Sequence, residues 1–220
     1  GYIPTPPRFL EGVRERADRH EILLIADEVQ TGVGRTGKFW GHQHTSVTPD
    51  VLITAKGLAS GFPLSAIAAP TDLMATAWPG SQGGTYGGNA VAAAAASATL
   101  DVVRDEGLVG NSHDRGQTLR AALRELADAH PQIGDVRGLG LMRAIEFTTA
   151  DGEPDVETAQ AVQHAAVDQG LLLLTCGVGN VVRVIPPLIV TDEEIAEGAR
   201  RLTAAVETIV GHPAGAGGAS

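Results

Sequence analysis

Two unbroken apolar runs mark the first half of the chain, Ile22-Leu23-Leu24-Ile25-Ala26 and Val51-Leu52-Ile53-Thr54. Runs of this length suit parallel strands buried on both faces. A third run, 64–69, reads the same way. Ahead of them, Phe9, Leu10 and Val13 follow Pro6-Pro7, with Glu11, Arg14, Glu15, Arg16 and Asp18 between and after them. That spacing predicts an amphipathic helix with proline in its first turn. A glycine-rich loop at 79–89 opens a predicted helix over 90–105, and a longer one follows over 108–129 with Leu119, Leu123 and Leu126 on one face. Strands alternating with helices imply an α/β layer.

The texture changes after His130-Pro131. Short apolar segments around Gly134, Gly138 and Gly140 predict a bent strand pair over 133–147. A helix is predicted over 156–168 and strands over 171–174 and 181–185. Thr191 followed by Asp192-Glu193-Glu194 reads as a helix N-cap with an acidic first turn, leading to Val210. This half reads as a smaller α+β unit. The expected division is residues 1–105, residues 106–211 and a disordered Gly/Ala/Ser-rich tail at 212–220.

Composition narrows the function classes. The 220 residues carry a net charge of −10, which argues against nucleic acid and anionic membrane as partners. No stretch reaches the ~20 apolar residues of a membrane span. The single cysteine, Cys176, rules out an internal disulfide, reads as a buried structural thiol and fits a reducing, cytoplasmic setting. His42-Gln43-His44 is a poor metal site, with two histidines at i, i+2 and no partner set nearby. No metal is expected.

The stretch Asp27-Glu28 followed by Gly32-Val33-Gly34-Arg35-Thr36-Gly37-Lys38-Phe39 looks like a nucleotide-binding loop. A P-loop needs Ser or Thr after the lysine to reach Mg²⁺, and here Phe39 stands there. One strand would also have to supply both the phosphate loop and the metal-binding acid. The plainer alternative makes Asp27 a turn cap and 32–41 a surface loop.

A third reading joins Asp27 to Lys56, each at the end of an apolar run. Parallel strands end on one edge of a sheet, where α/β proteins place ligands. A lysine buried against apolar strand and glycine would be costly without work to do. An acid and an amine on one edge are what pyridoxal phosphate (PLP) chemistry asks for: the lysine for the aldehyde, the acid for the pyridinium nitrogen. The loop 83–89 ahead of the Ala-rich helix offers a phosphate site, through close backbone approach and a helix start that favours an anion.

In this order the chain resembles class III (ornithine/4-aminobutyrate type) aminotransferases. The matching residues are Leu24-Ile25-Ala26-Asp27-Glu28-Val29-Gln30-Thr31-Gly32, Gly34-Arg35-Thr36-Gly37, Pro49-Asp50, Ala55-Lys56-Gly57 and Gly61-Phe62-Pro63. Then follow Gly84-Thr85-Tyr86-Gly87-Gly88-Asn89, Arg137-Gly138-Leu139-Gly140-Leu141-Met142 and Arg183-Val184-Ile185-Pro186-Pro187-Leu188. The resemblance implies part of the fold-type I PLP-transferase large domain, with a mainly parallel sheet, plus a smaller α+β C-terminal domain. It implies Lys56 as the Schiff-base lysine and proton carrier, Asp27 at the pyridinium nitrogen and Gln30 at the phenolic oxygen. It implies Thr85 at the phosphate across a homodimer interface, and Arg183 at the substrate α-carboxylate. The implied activity moves an amino group from an ω-amino acid such as 4-aminobutyrate to 2-oxoglutarate. Decarboxylating or racemising relatives and a non-catalytic remnant are the alternatives.

The resemblance also implies about as many residues again upstream, including a glutamate just before Gly1. The chain therefore reads as truncated, and alone it is expected to be inactive or nearly so. Glu21 stands where a glycine often ends the preceding helix. If that position needs φ > 0, glutamate costs about 1 kcal/mol there.

Overall fold

The computed structural model describes residues 1–81 and 83–211, so the tail expected at 212–220 lies outside the described residues. In chain order the elements are α1 (Pro7–Arg19), β1 (Ile25–Asp27), β2 (Val51–Thr54), β3 (Ala66–Ala68), α2 (Thr71–Met74), α3 (Ala90–Asp105) and α4 (Leu108–Ala129). There follow β4 (Ile133–Leu139), β5 (Met142–Phe147), α5 (Val156–Asp168), β6 (Leu174–Cys176), β7 (Val181–Val184) and α6 (Asp192–Val210). They form two compact units, one of Thr5–Gly110 and one of Gly1–Pro4 with the described residues from Asn111 on.

In the Thr5–Gly110 unit the sheet order is β1-β2-β3. β1 and β2 are parallel, but β3 runs antiparallel to β2. The expected mainly parallel sheet is thus met by one pair only. The link from Thr54 to Ala66 contains no α-helix, and a parallel return needs a crossover of a dozen or more residues. The expected double burial of the first strand is not met either. Ile22, Leu23 and Ile25 are 60%, 51% and 55% exposed. Among the described residues β1 also pairs on one edge only, so its backbone is at a sheet border as well as its side chains being exposed.

Asp50 ties this unit together. Its carboxylate accepts from Arg14 on α1 and from the Leu24 amide, both at 2.7 Å. Those two hydrogen bonds, Arg14's first, hold the Asp50 carboxyl below the usual carboxylate range. Helix α1 ends as the sequence suggests. The Ile22 amide donates back to the Ala17 carbonyl at 2.8 Å, which forces Glu21 to φ 55°. A Cβ is strained in that region and glycine is not. Glu21→Gly is expected to raise stability by about 1 kcal/mol, read as a higher urea midpoint at unchanged slope. A lower midpoint would mean that Glu21 makes up the strain elsewhere.

In the other unit the sheet order is β4-β5-β7-β6, antiparallel throughout. The register puts Val136, Ile145 and Val182 in one row. That row faces the core, where Leu119, Leu123 and Leu126 of α4 meet Val162 of α5 and Ile195, Leu202 and Val206 of α6. The opposite face carries Arg137, Ala144, Arg183 and Leu174 in one row and Asp135, Glu146, Val181 and Cys176 in the next. Helix α6 begins with a reciprocal cap. Thr191 Oγ1 accepts from the Glu194 amide at 3.2 Å, and Glu194 accepts from the Thr191 amide at 2.9 Å. The strand expected over 171–174 starts only at Leu174. The Leu171 amide still bonds the Ala166 carbonyl at 2.8 Å, so the residues just after Gly170 (φ 69°) are the exit from α5.

Candidate active site

Asp27 and Lys56 leave the same edge of the β1–β2 pair. Asp27 is the last residue of β1 and lies opposite Ile53, and Lys56 follows two residues after β2 ends. Strand alternation then separates the two neighbouring acids. Glu28 is 3% exposed, whereas Asp27 is exposed.

Glu28 is a brace. Its Oε1 accepts from the His42 amide at 2.7 Å, and its Oε2 accepts from the Gly41 amide at 2.8 Å and from the Thr31 hydroxyl. The loop over 32–41 closes over that carboxylate. Gly32 lies so close to the Trp40 ring that a Cβ would come within 2.7 Å of it. The loop leads into a single 3₁₀ turn at Gly41–His44, not an α-helix carrying Lys38, so the P-loop likeness has no structural counterpart. Val33, 3% exposed and at φ 53°, instead packs toward Gly57, whose added Cβ would meet it at 3.6 Å. The glycine loop therefore supports the turn that carries the lysine.

That turn is irregular. Lys56 sits at φ 43° and Ser60 at φ 46°, followed by Gly61 at φ 104°. Non-glycine residues at positive φ cost about 1–3 kcal/mol each and persist only where the surroundings fix them. Here buried Leu58 and Ala59 anchor the turn, and the Leu58 amide bonds the Ala55 carbonyl at 2.9 Å. The result projects the lysine into an open depression lined by Gly57, Ser60, Gly61, Phe62, Pro63 and Leu64. Lys56 is exposed, which corrects the expectation of a buried amine: the turn carries it clear of the strand. Asp27 accepts one hydrogen bond, from the Val29 amide at 3.0 Å. Among the described residues neither Asp27 nor Lys56 is in an ion pair within 4.0 Å.

Gln30 is half-buried three residues beyond Asp27. Thr85 is exposed in a turn closed by the Gly87 amide on the Gly84 carbonyl at 2.9 Å. The start of α3 is less open to an anion than its sequence suggests. Asn89 Oδ1 already accepts from the Val91 and Ala92 amides at 2.9 and 3.1 Å. His42 and His44 turn their ring nitrogens to Val47 and Thr36, and no metal-binding group of three side chains occurs among the described residues.

Arg183 belongs to the other unit. It lies mid-sheet, opposite Ala144 on one side and Leu174 on the other. Its Nε is buried without a hydrogen-bond partner, and its guanidinium carbon lies 5.7 Å from the centre of the Tyr2 ring. The neighbouring cation on the same face, Arg137, is fully engaged. It donates to Asp135 at 3.0 Å, to Glu146, and to the Gly1 carbonyl at 3.0 Å. Burial works against the Arg137 charge, but Glu146 and Asp135 raise its pKa on balance. Burial likewise works against the Glu146 charge, and hydrogen bonds from Arg137 and Asn180 outweigh it and hold the carboxyl low. Sequence reasoning missed this network and Tyr2. The period-two alternation over 133–147, with Asp135, Arg137 and Glu146 all off the apolar phase, was the available signal for the former. Cys176, expected buried, is half-buried.

Among known proteins, a family profile described as aminotransferase class-III matches residues 1–206. The chain is 42% identical over 201 residues to the 4-aminobutyrate aminotransferase of Escherichia coli (strain K12), covering 90% of this chain and 47% of that protein. It is 43% identical over 204 residues to the acetylornithine aminotransferase of Corynebacterium efficiens, covering 93% and 48%. The solved ornithine aminotransferase of Toxoplasma gondii, whose active site holds PLP at partial occupancy, superposes with a TM-score of 0.84 at 34% identity, over 92% of this chain and 47% of that one. The chain thus spans about half the length of the curated relatives it matches. No helix among the described residues is long and apolar enough to cross a membrane.

Proposed function

Because the chain belongs to the class-III aminotransferases, a PLP-dependent family, we propose that it carries the lysine-bearing part of an enzyme that moves the amino group of an ω-amino acid such as 4-aminobutyrate to 2-oxoglutarate. The observation that carries this reading is the pairing of Asp27 and Lys56. Two opposite charges leave one sheet edge on adjacent strands, and neither is neutralised by an ion pair among the described residues. That donor set fits PLP, which has a basic ring nitrogen at one end and an aldehyde at the other. When bound, PLP supplies an electrophilic carbonyl and an electron-withdrawing ring.

The chain's own residues divide the remaining work. The Asp27 carboxylate would keep a proton on the ring nitrogen. Gln30 would hydrogen-bond the phenolic oxygen, and the Thr85 hydroxyl would donate to the phosphate of PLP held by the partner subunit of a homodimer. Lys56 Nζ would hold the aldehyde end and would carry the proton at the substrate carbon. Arg183 binds the substrate α-carboxylate through its planar fork. We assign residues 1–105 to the PLP-binding large domain of a fold-type I transferase and 106–211 to its smaller C-terminal domain. Relatives named for 4-aminobutyrate and for acetylornithine support an amino donor with a terminal amine.

Covalent trapping tests the assignment on the chain itself. After incubation with PLP and reduction with borohydride, digestion and mass spectrometry are expected to place one pyridoxyl group on Lys56, with Lys38 unmodified. Asp27→Ala is expected to lower the yield. Equal labelling of both lysines, or a yield indifferent to Asp27, would remove the reading.

A further inference from the structure

Two arginines share the polar face of the sheet formed by β4, β5, β7 and β6, on either side of Ala144, and among the described residues only one is neutralised. Arg137 is paired with Asp135 and Glu146. Arg183 has no ion pair among the described residues, and its buried Nε has no acceptor. An anion reaching this face would find its unmatched charge at Arg183. The guanidinium meets Tyr2 twice. The ring centre is 5.7 Å from the guanidinium carbon, and the phenol oxygen is 3.5 Å from one terminal nitrogen.

Tyr2 is not resting there by chance of a loose end. The Gly1 carbonyl accepts from Arg137 Nε at 3.0 Å, and Arg137 is itself held by Asp135 and Glu146, with Asn180 donating to Glu146 at 2.9 Å. Gly1 is packed so tightly that an added Cβ would come within 2.5 Å of Cys176 Sγ and 2.9 Å of the Gly177 nitrogen. Tyr2 then adopts φ 55°, a region that a bulky side chain rarely occupies. The surroundings fix a strained backbone, and what that backbone delivers is an aromatic ring beside Arg183.

We propose that Tyr2 is a positioning residue for Arg183. Its ring lies beside the guanidinium and holds the fork's plane, leaving the fork's edge to a planar carboxylate. This rests on the reading of Arg183 as the carboxylate-binding residue. A guanidinium is weakly hydrated and stacks on aromatic rings without losing its in-plane donors. Fixing its plane beforehand spares the rotamer ordering that a carboxylate would otherwise have to impose on binding. The hydroxyl, at the limit of hydrogen-bond distance, is secondary to the ring.

The test uses the ¹⁵N-labelled 220-residue chain and glutarate as the carboxylate probe. The Arg183 Nε–H signal is identified by its disappearance in Arg183→Lys. In the ligand-free chain that signal should carry the shift of a nearby ring, kept in Tyr2→Phe and lost in Tyr2→Leu, which fills the space without a ring. Glutarate should move the signal, with affinity unchanged in Tyr2→Phe and roughly two- to tenfold weaker in Tyr2→Leu. If Tyr2→Leu binds glutarate as tightly as the parent chain, or if Tyr2→Phe weakens as much as Tyr2→Leu, the positioning role is overturned. A parent chain whose Arg183 signal ignores glutarate, yet still shows the ring shift, overturns the carboxylate reading of Arg183, and the positioning role falls with it.

Discussion

Lys56→Ala is expected to lower amino transfer by about four orders of magnitude or more, in any polypeptide in which this chain supports it. One side chain is assigned two tasks, holding the aldehyde carbon and moving the proton, and groups that act as a unit fail as a unit. The fold should not suffer, because the Lys56 side chain is exposed and anchors nothing. Comparing alanine with glycine separates the side chain from its backbone. Position 56 sits at φ 43°, so Lys56→Ala keeps the strain and Lys56→Gly removes it. Both variants should be equally inactive, while Lys56→Gly unfolds at higher urea than Lys56→Ala by about 1 kcal/mol. That pattern would show stability given up locally to present an amine. Residual turnover above one per cent in Lys56→Ala, assayed as glutamate formed from 2-oxoglutarate, would assign the chemistry to another group.

What the sequence made legible follows from range. Helices α3, α4, α5 and α6 could be read because their apolar spacing and caps are local: Asn89, Asp155 and Thr191 each accept from an amide within three residues. Glu21 could be flagged because a helix exit demands one left-handed residue. The placement of Asp27 and Lys56 on one edge needed only that two apolar runs pair in parallel, which they do. The direction of β3 was not legible, since a short apolar run at 64–69 carries no signal for its sense. Burial of β1 was misread because burial belongs to whatever lies against a strand, and Ile22, Leu23 and Ile25 have open surface among the described residues. Tyr2 against Arg183 joins positions far apart in the chain, and no local pattern could announce it. The same holds for Pro49-Asp50. The motif was visible, but its work as a brace between α1 and the Leu24 amide appears only once Arg14 and Leu24 converge on one carboxylate.

The same glycine-to-alanine change is expected to have opposite signs at two sites of one unit. Gly138 lies in β4 opposite Arg143, next to the turn into β5, at φ 116°, and a Cβ there would lie 2.0 Å from the Met142 carbonyl oxygen and 2.9 Å from the Arg143 Cα. Both obstacles are backbone and cannot turn aside. Nor can the hairpin shift freely. Arg143, 4% exposed, donates to the carbonyls of Gly138, Gly140 and Gly116, and Gly116 of α4 approaches Gly140 so closely that its own Cβ would come within 2.4 Å of that carbonyl oxygen. Burial, with Arg120 and Arg124 nearby, pushes Arg143 down to about 10. Its charge therefore costs stability at neutral pH, and the three carbonyls must offset that cost. A turn forced open at Gly138 loosens those bonds as well. Gly138→Ala should cost about 3–5 kcal/mol. Gly198, within α6, has nothing within 4 Å of an added Cβ. Gly198→Ala should stabilise the chain by about 0.5–1 kcal/mol, through reduced chain entropy alone. A urea midpoint for Gly138→Ala that stays level or rises with that of Gly198→Ala would mean that the hairpin does not hold this close approach, and the polar face that carries Arg137 and Arg183 would lose the register on which its roles depend.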